Sequence, residues 1–206
     1  MIHELRIYDI APGALARYIE LAETQVPRAR GDRFGRLVGF WRAASGSRDR
    51  VFHVWEYESL DDRQAGRDAL FRERPWLDDF IAHVWPIIVE QRVVFLAPRG
   101  TITKPAAGTS HLYELRTTHA RTGHPGALAD ALAGHPAGAG EARVACWTGI
   151  APWPNSVVEL FAHPAAAPQV AQVETLVPVP AADGGAALSR SAHAEWLVPI
   201  AISPLC

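Results

Sequence analysis

A chain of 206 residues with a formal net charge of -2 carries no electrostatic footprint for nucleic acid or an anionic membrane surface. Its two cysteines, Cys146 and Cys206, neither frame a disulfide scaffold nor show metal-ligand spacing. Met1-Ile2-His3-Glu4-Leu5-Arg6 runs straight into a strand pattern, and no stretch reaches the ~18 apolar residues of a membrane span. The expectation is a soluble, cytoplasmic protein with neither nucleic acid nor membrane as partner.

Residues 2–8 alternate as a strand does, with Leu5 and Ile7 on one face and Glu4, Arg6 and Tyr8 on the other. Pro12 suits a first helical turn, and Leu15, Tyr18, Ile19, Ala22 and Val26 form the stripe of an amphipathic helix that Pro27 and Gly31 end or kink. Residues 35–42 and 51–57 read as two strands of a hairpin around Ser45-Gly46-Ser47. Ser59 with Asp62 resembles a capping box opening a charged helix, and Pro75 starts a second piece that buries Trp76, Leu77, Phe80, Ile81 and Val84 before Pro86 stops it. A last strand over 87–96 completes β-α-β-β-α-β, the split βαβ arrangement called ferredoxin-like.

The chain then repeats itself. Glu4-Leu5-Arg6 and Pro12-Gly13-Ala14-Leu15-Ala16 return as Glu114-Leu115-Arg116 and Pro125-Gly126-Ala127-Leu128-Ala129. The chain thus divides into a first module at 1–98, a linker at 99–110 rich in Gly and Pro, and a second, degenerate module at 111–206. In the second module, strands are expected at 111–118, 142–150, 156–162 and 194–202, with a shorter helix at 126–133. Pro164, Pro168, Pro178, Pro180 and Gly184-Gly185 interrupt the region 164–190, leaving a short helix around 165–173 and then irregular chain. The intact first copy is therefore expected to carry any active site, with the second as its built-in partner.

Glu4-Leu5-Arg6-x-Tyr8, Pro12-Gly13, Leu37-Val38-Gly39, Val54-Trp55-x-Tyr57-x-Ser59-Leu60-Asp61-Asp62-Arg63 and Ile202-Ser203-Pro204-Leu205 together resemble the NIPSNAP family. The resemblance implies an α+β fold, a dimeric α+β barrel whose two ferredoxin-like sheets here come from one chain. Phe161 and His163 depart from the family's Trp and Tyr. The wider superfamily includes cofactor-free monooxygenases, isomerases, cyclases, haem-degrading enzymes and binding proteins, and fold alone does not choose among them.

Strand parity adds an inference of its own. Phe52 and Val54, like Val158 and Leu160, form an aliphatic face suited to helices, whereas His53, Trp55 and Tyr57, like Glu159, Phe161 and His163, form a polar and aromatic one. With strand 1 beside strand 3, Glu4, Arg6 and Tyr8 share that second face, and the opposing copy is expected to bring Glu114, Arg116, Glu159 and His163 towards it. Such a set suits a flat, oxygenated ligand, with His53 as general base, Arg6 and Tyr57 positioning, and Glu4, Tyr8, Trp41, Trp55, Arg116 and His163 as binding contacts. The bland reading is that Glu and Arg align two sheets by ion pairs and the aromatic residues are core at a seam. His83, near the end of the second helical region, is the weak candidate for a haem ligand. No metal spacing, phosphate loop or nucleophile elbow occurs, so no cofactor is expected. The expected function is acid–base chemistry on an aromatic or enolisable small molecule, in biosynthesis, by an intrachain pseudo-dimer that can pair again as a homodimer. The rival is a non-catalytic ligand-binding or interaction protein.

Overall fold

The computed structural model describes residues 1–44, 46–105, 111–134, 141–164, 179 and 187–206, a mixed α/β fold in which strands dominate. It divides into two compact units, Met1–Val93 with Pro199–Cys206, and Val94–Val198. The boundary differs from the expected one at both ends. The last eight residues belong to the first unit, where the Phe40 amide donates to Ser203 Oγ at 3.0 Å and the Ile200 amide to the Phe40 carbonyl at 3.1 Å.

In the first unit β3 (Arg50–Tyr57) lies between β1 (Ile2–Ile10) and β2 (Arg36–Ala43), antiparallel to both. The register sets Glu4 opposite Trp55, Arg6 opposite His53 and Phe40 opposite His53, so these side chains share one face of the sheet. α1 (Leu15–Gln25) runs into a π-helical turn, Val26–Arg30, that absorbs Pro27 and stops at Gly31, whose φ of 53° suits a residue without a Cβ. α2 (Leu60–Leu70) is capped as expected, the Asp62 amide donating to Ser59 Oγ at 3.0 Å. After Pro75 the chain makes a π-helical piece, Trp76–Ile81, then α3 (Ala82–Val84) and a 3₁₀ turn, Trp85–Ile87, before β4 (Ile88–Pro98).

These helices cover the face opposite to the one the pattern suggests. Tyr8, Phe40, Val51, Trp55 and Tyr57 from the sheet pack with Tyr18, Leu21, Ala22 and Val26 of the first helical stretch and with Trp76, Phe80, Ile81 and Val84. The polar and aromatic face is thus the helix-covered one, and Leu5, Ile7, Phe52 and Val54 are buried on the other side. The reason is aromatic complementarity. Tyr18 meets Tyr8, Phe40 and Phe80 edge-on at centroid distances of 6.4, 6.5 and 6.4 Å, a packing that aliphatic side chains cannot supply.

In the second unit the strands run β8 (Ser189–Pro199), β5 (His111–Ala120), β7 (Ser156–Pro164) and β6 (Ala142–Ala151), with the end of β4 from Phe95 to Pro98 paired to β6. The last strand starts and ends earlier than the expected 194–202. α4 (Pro125–Gly134) packs Leu128 and Ala129 against Val157 and Leu188. The short helix expected around 165–173 lies outside the described residues.

Gly39 has a packing role on β2. A Cβ there would fall 2.0 Å from Cη2 of the Trp41 indole, which is fully buried. Gly39→Ala must displace that ring, and we expect a loss of about 1–3 kcal/mol in urea unfolding. A change below about 0.5 kcal/mol would show that the indole is not held against the strand.

Candidate functional site

β1 presents Glu4, Arg6 and Tyr8 in succession on the helix-covered face, and their bonds form a chain. Arg6 Nη1 donates to Glu4 Oε1 at 2.6 Å, and Arg6 Nε donates to the Tyr8 hydroxyl. Arg63 of α2 donates through Nε to the second Glu4 oxygen at 2.5 Å. Burial alone would raise the Glu4 carboxyl, but Arg6 and the hydrogen bonds from Arg63 and Arg6 hold it below its ordinary value. Glu4 is therefore an ionised anchor.

Beside this chain lies a cavity of about 80 Å³ whose lining comes entirely from the first unit. The sheet contributes Arg6, Tyr8, Phe40, His53 and Trp55 to it, and the helical stretches Arg30, Arg67, Trp76, Phe80 and Trp85. Its outer edge is marked by the exposed Gln91 and by Trp85, whose surface is 56% exposed.

His53 is buried at the inner wall. Trp55 Nε1, which can only donate, gives its hydrogen to His53 Nδ1 at 2.6 Å, so Nδ1 carries the lone pair and the ring proton sits on Nε2. His53 Nε2 is buried and meets no acceptor among the described residues. Burial first, then the neighbouring Arg6, Arg30 and Arg67, push the imidazole well below its usual pKa. The ring is neutral with its only lone pair occupied, so His53 is a hydrogen-bond donor to the cavity rather than the general base expected from the sequence.

Two further arginines come from helical positions. Arg30 closes the π-helical turn, stacks its guanidinium 3.3 Å above the Trp55 ring, and donates through Nη2 to the Tyr57 hydroxyl at 2.8 Å and to the Phe34 carbonyl at 2.9 Å. Its Nε is buried without an acceptor among the described residues, and burial lowers its pKa against the pull of Tyr57. Arg67 of α2 is half-buried, makes a ring contact with Phe71 at 5.2 Å, and has its pKa lowered by burial and by Arg6. No carboxylate lines the cavity among the described residues.

The sequence-based candidates therefore separate. Arg6, Tyr8, His53 and Trp55 meet at the cavity, as strand parity predicts. Glu4 stands behind Arg6, and Tyr57 faces Arg30, so both brace the site without lining it. Trp41 falls opposite Phe52 in the register and so lies on the other face of the sheet. Arg116 and His163 belong to the second unit and line no part of the cavity, because the polar face is covered by the first unit's own helices. His83 is exposed and absent from the lining, which removes the geometric basis for a haem ligand there. Arg30, Arg67, Trp76 and Phe80 are site residues that the sequence pattern does not single out. A signal for two of them exists, since Arg30 continues the buried Ala22–Val26 stripe and Arg67 lies four residues from both Arg63 and Phe71.

The second unit repeats the frame with different chemistry. Arg116 grips Glu114 through Nε and Nη2, both at 2.9 Å, and His163 Nε2 lies 3.1 Å from Glu114 Oε2. Glu159 occupies the register position of His53, opposite Arg116, and makes a 3.1 Å ion pair with Arg143. Glu114, Glu141 and His163 bring ligand-type atoms within 4.8 Å of one another, but both Glu114 oxygens already accept from Arg116, so the group is an ion-pair network.

The fold and site define a strand-rich α+β protein with an aromatic, arginine-lined cavity under the helices of its first module. Residues 3–101, just under half of the chain, match the NIPSNAP family model, so the first module is a NIPSNAP domain. It is 28% identical over 135 residues to human NipSnap homolog 3A, an alignment covering 64% of this chain. The chain spans about half the length of the curated relatives it matches, 53% in that case. Over both units its fold is similar to two solved structures. A protein of Fusobacterium nucleatum proposed to be a monooxygenase aligns at a TM-score of 0.62 and 9% identity over 97% of this chain and 92% of that one. One of Lactobacillus acidophilus, also proposed to be a monooxygenase, aligns at 0.60 and 17% over 96% and 92%. Among the described residues, no helix is long and apolar enough to cross a membrane.

The state of His53 gives a pH dependence with a definite sign. Its pKa falls on folding, so below about pH 6.5 the unfolded chain takes up a proton that the folded chain refuses. The associated stability is complete above that pH and declines as the pH drops, by up to about 1.4 kcal/mol per pH unit for this one group. His3, lowered by burial against the pull of Glu56, adds to the same trend. In urea unfolding between pH 7.5 and 5, His53→Gln should have a shallower slope than the parent, and an unchanged slope would contradict a buried neutral His53.

Proposed function

We propose that the chain binds a small, planar, oxygen-bearing molecule under the helices of its first module. We propose also that the two modules are tandem ferredoxin-like copies making an intrachain dimeric α+β barrel, a reading supported by the duplicated sequence and by the fold likeness over both units. The observation that carries the binding reading is a pair of buried donors, His53 Nε2–H and Arg30 Nε–H, that find no acceptor among the described residues beside a cavity walled by aromatic rings. Unsatisfied buried donors of this kind cost about 1–3 kcal/mol each, and a ligand oxygen removes that cost.

In its enzymatic form the reading is cofactor-independent oxygenation, cyclisation or isomerisation of an aromatic or enolisable substrate in cytoplasmic biosynthesis. The monooxygenase role proposed for the two structural neighbours motivates it. The chain's residues would act by stabilising an enolate or phenolate oxygen with N–H donors in a water-poor site. Proton removal would fall to water or to the substrate's own acidity, because Nδ1 of His53 is occupied and no carboxylate lines the cavity. That same lack of a base favours a second reading, non-catalytic ligand binding. The cavity is also well below the ~300 Å³ of a typical small-molecule pocket, so only part of a ligand fits inside it.

Both forms are tested with acetylacetone. The binding reading predicts a rise in melting temperature that His53→Phe abolishes. The enzymatic reading further predicts that the parent speeds exchange of the central proton into D2O, followed by NMR, at least about tenfold over His53→Phe, a difference of about 1.4 kcal/mol in barrier. Exchange at the same rate in both proteins supports binding alone. Neither a melting shift nor exchange, across this and a panel of phenols, would contradict the proposal.

A further inference from the structure

The charges around the cavity do not balance. Three guanidinium groups line it, those of Arg6, Arg30 and Arg67, and Arg63 stands just behind. Arg6 and Arg63 donate to the same carboxylate, Glu4, each taking one of its oxygens. Arg30 has neutral partners, Tyr57 and a carbonyl, and Arg67 has a phenyl ring and, among the described residues, no carboxylate bonded to it. His53 adds no charge but offers a third N–H donor. Partly desolvated guanidinium groups without counter-ions are costly unless something neutralises them, and planar carboxylates are the anions their donor fork matches.

Size sets the orientation. A cavity of about 150 Å³ holds benzene, so one of about 80 Å³ takes roughly three or four non-hydrogen atoms, a carboxylate and one or two carbons. The remainder of any larger ligand must pass outward. There Trp85 presents a 56% exposed indole, and its ring stands 6.2 Å from that of Phe71 at an interplanar angle of 33°. Both residues belong to the cavity lining. An aromatic or other flat body emerging at this point finds two π faces.

Resting on the ligand-site reading above, we infer that the molecule is an organic carboxylate bound acid-first, with Arg67 as its counter-ion, Arg30 Nε–H and His53 Nε2–H as further donors, and its flat body against Trp85 and Phe71. Arg67 sits on an α-helix at half-burial, so its replacement leaves the core of the module intact, unlike replacement of the buried Arg30.

The test is calorimetric titration of the full chain with acetate, phenylacetate and phenylacetamide, using the parent, Arg67→Gln and Trp85→Ala. Phenylacetate should bind the parent roughly tenfold or more tightly than the isosteric amide, the range expected for a charge-assisted contact. Arg67→Gln should bring the two within about threefold, and Arg67→Lys should restore part of the preference. Trp85→Ala should weaken phenylacetate and leave acetate unchanged. Equal binding of acid and amide to the parent, or a preference that survives Arg67→Gln, would overturn the carboxylate while leaving the cavity as a ligand site. An equal loss of acetate and phenylacetate in Trp85→Ala would overturn the acid-first pose. Binding of none of the three compounds, while acetylacetone or a phenol still raises the melting temperature, would overturn this inference and leave the ligand-site reading standing.

Discussion

Glu4 is a carboxylate with no exposed surface, and it remains ionised only because two arginines from different elements donate to it. Satisfying that charge shapes much of the first module. Arg6 is fixed by Glu4 and spends its Nε on Tyr8, Arg63 ties α2 to β1, and the edge of Tyr8 then meets the His53 ring at 5.0 Å. A buried pair of this type contributes little net stability, but removing one partner is expensive, so the arrangement is strongly determined. The charge left over is positive. Arg30 and Arg67 enter the same neighbourhood without a carboxylate, and the cavity forms where they and the aromatic rings converge.

The second unit shows the same frame with the balance restored. Glu159 stands where the first module has His53, Arg143 pairs with it, and Glu114 is held by Arg116. Each of these two carboxylates has a guanidinium partner. Strands with the same register thus support an ion-pair network in one unit and a donor-rich, unbalanced cavity in the other. The difference resides in a handful of side chains rather than in backbone, which is why function must be argued from the site and not from the fold.

Much of this is legible in the sequence because it rests on local rules. The period-2 alternation of Glu4, Arg6 and Tyr8, the stripe from Tyr18 to Val26, the Ser59 cap and the stops at Pro75 and Pro86 each act within a few residues. The meeting of Arg6, Tyr8, His53 and Trp55 comes from parity and the order of three strands. The direction of that face does not. Parity divides a strand into two faces without naming what covers each, and an aliphatic face is the natural bed for helices unless, as here, their buried residues are Tyr18, Trp76 and Phe80. Trp41 escapes parity for a related reason, since its face depends on cross-strand register through the irregularity between Leu37 and Gly39. Arg30 and Arg67 are hidden because charged residues on helices are ordinarily solvated.

The first module encloses a site of N–H donors in which His53 is neutral and donates from Nε2. Nitrogen-15 NMR of the His53 ring at pH 6 tests this most directly. The structure predicts one protonated nitrogen, Nε2, and an unprotonated Nδ1 shifted by its hydrogen bond from Trp55. A ring protonated on both nitrogens at that pH, or carrying its proton on Nδ1, would contradict it.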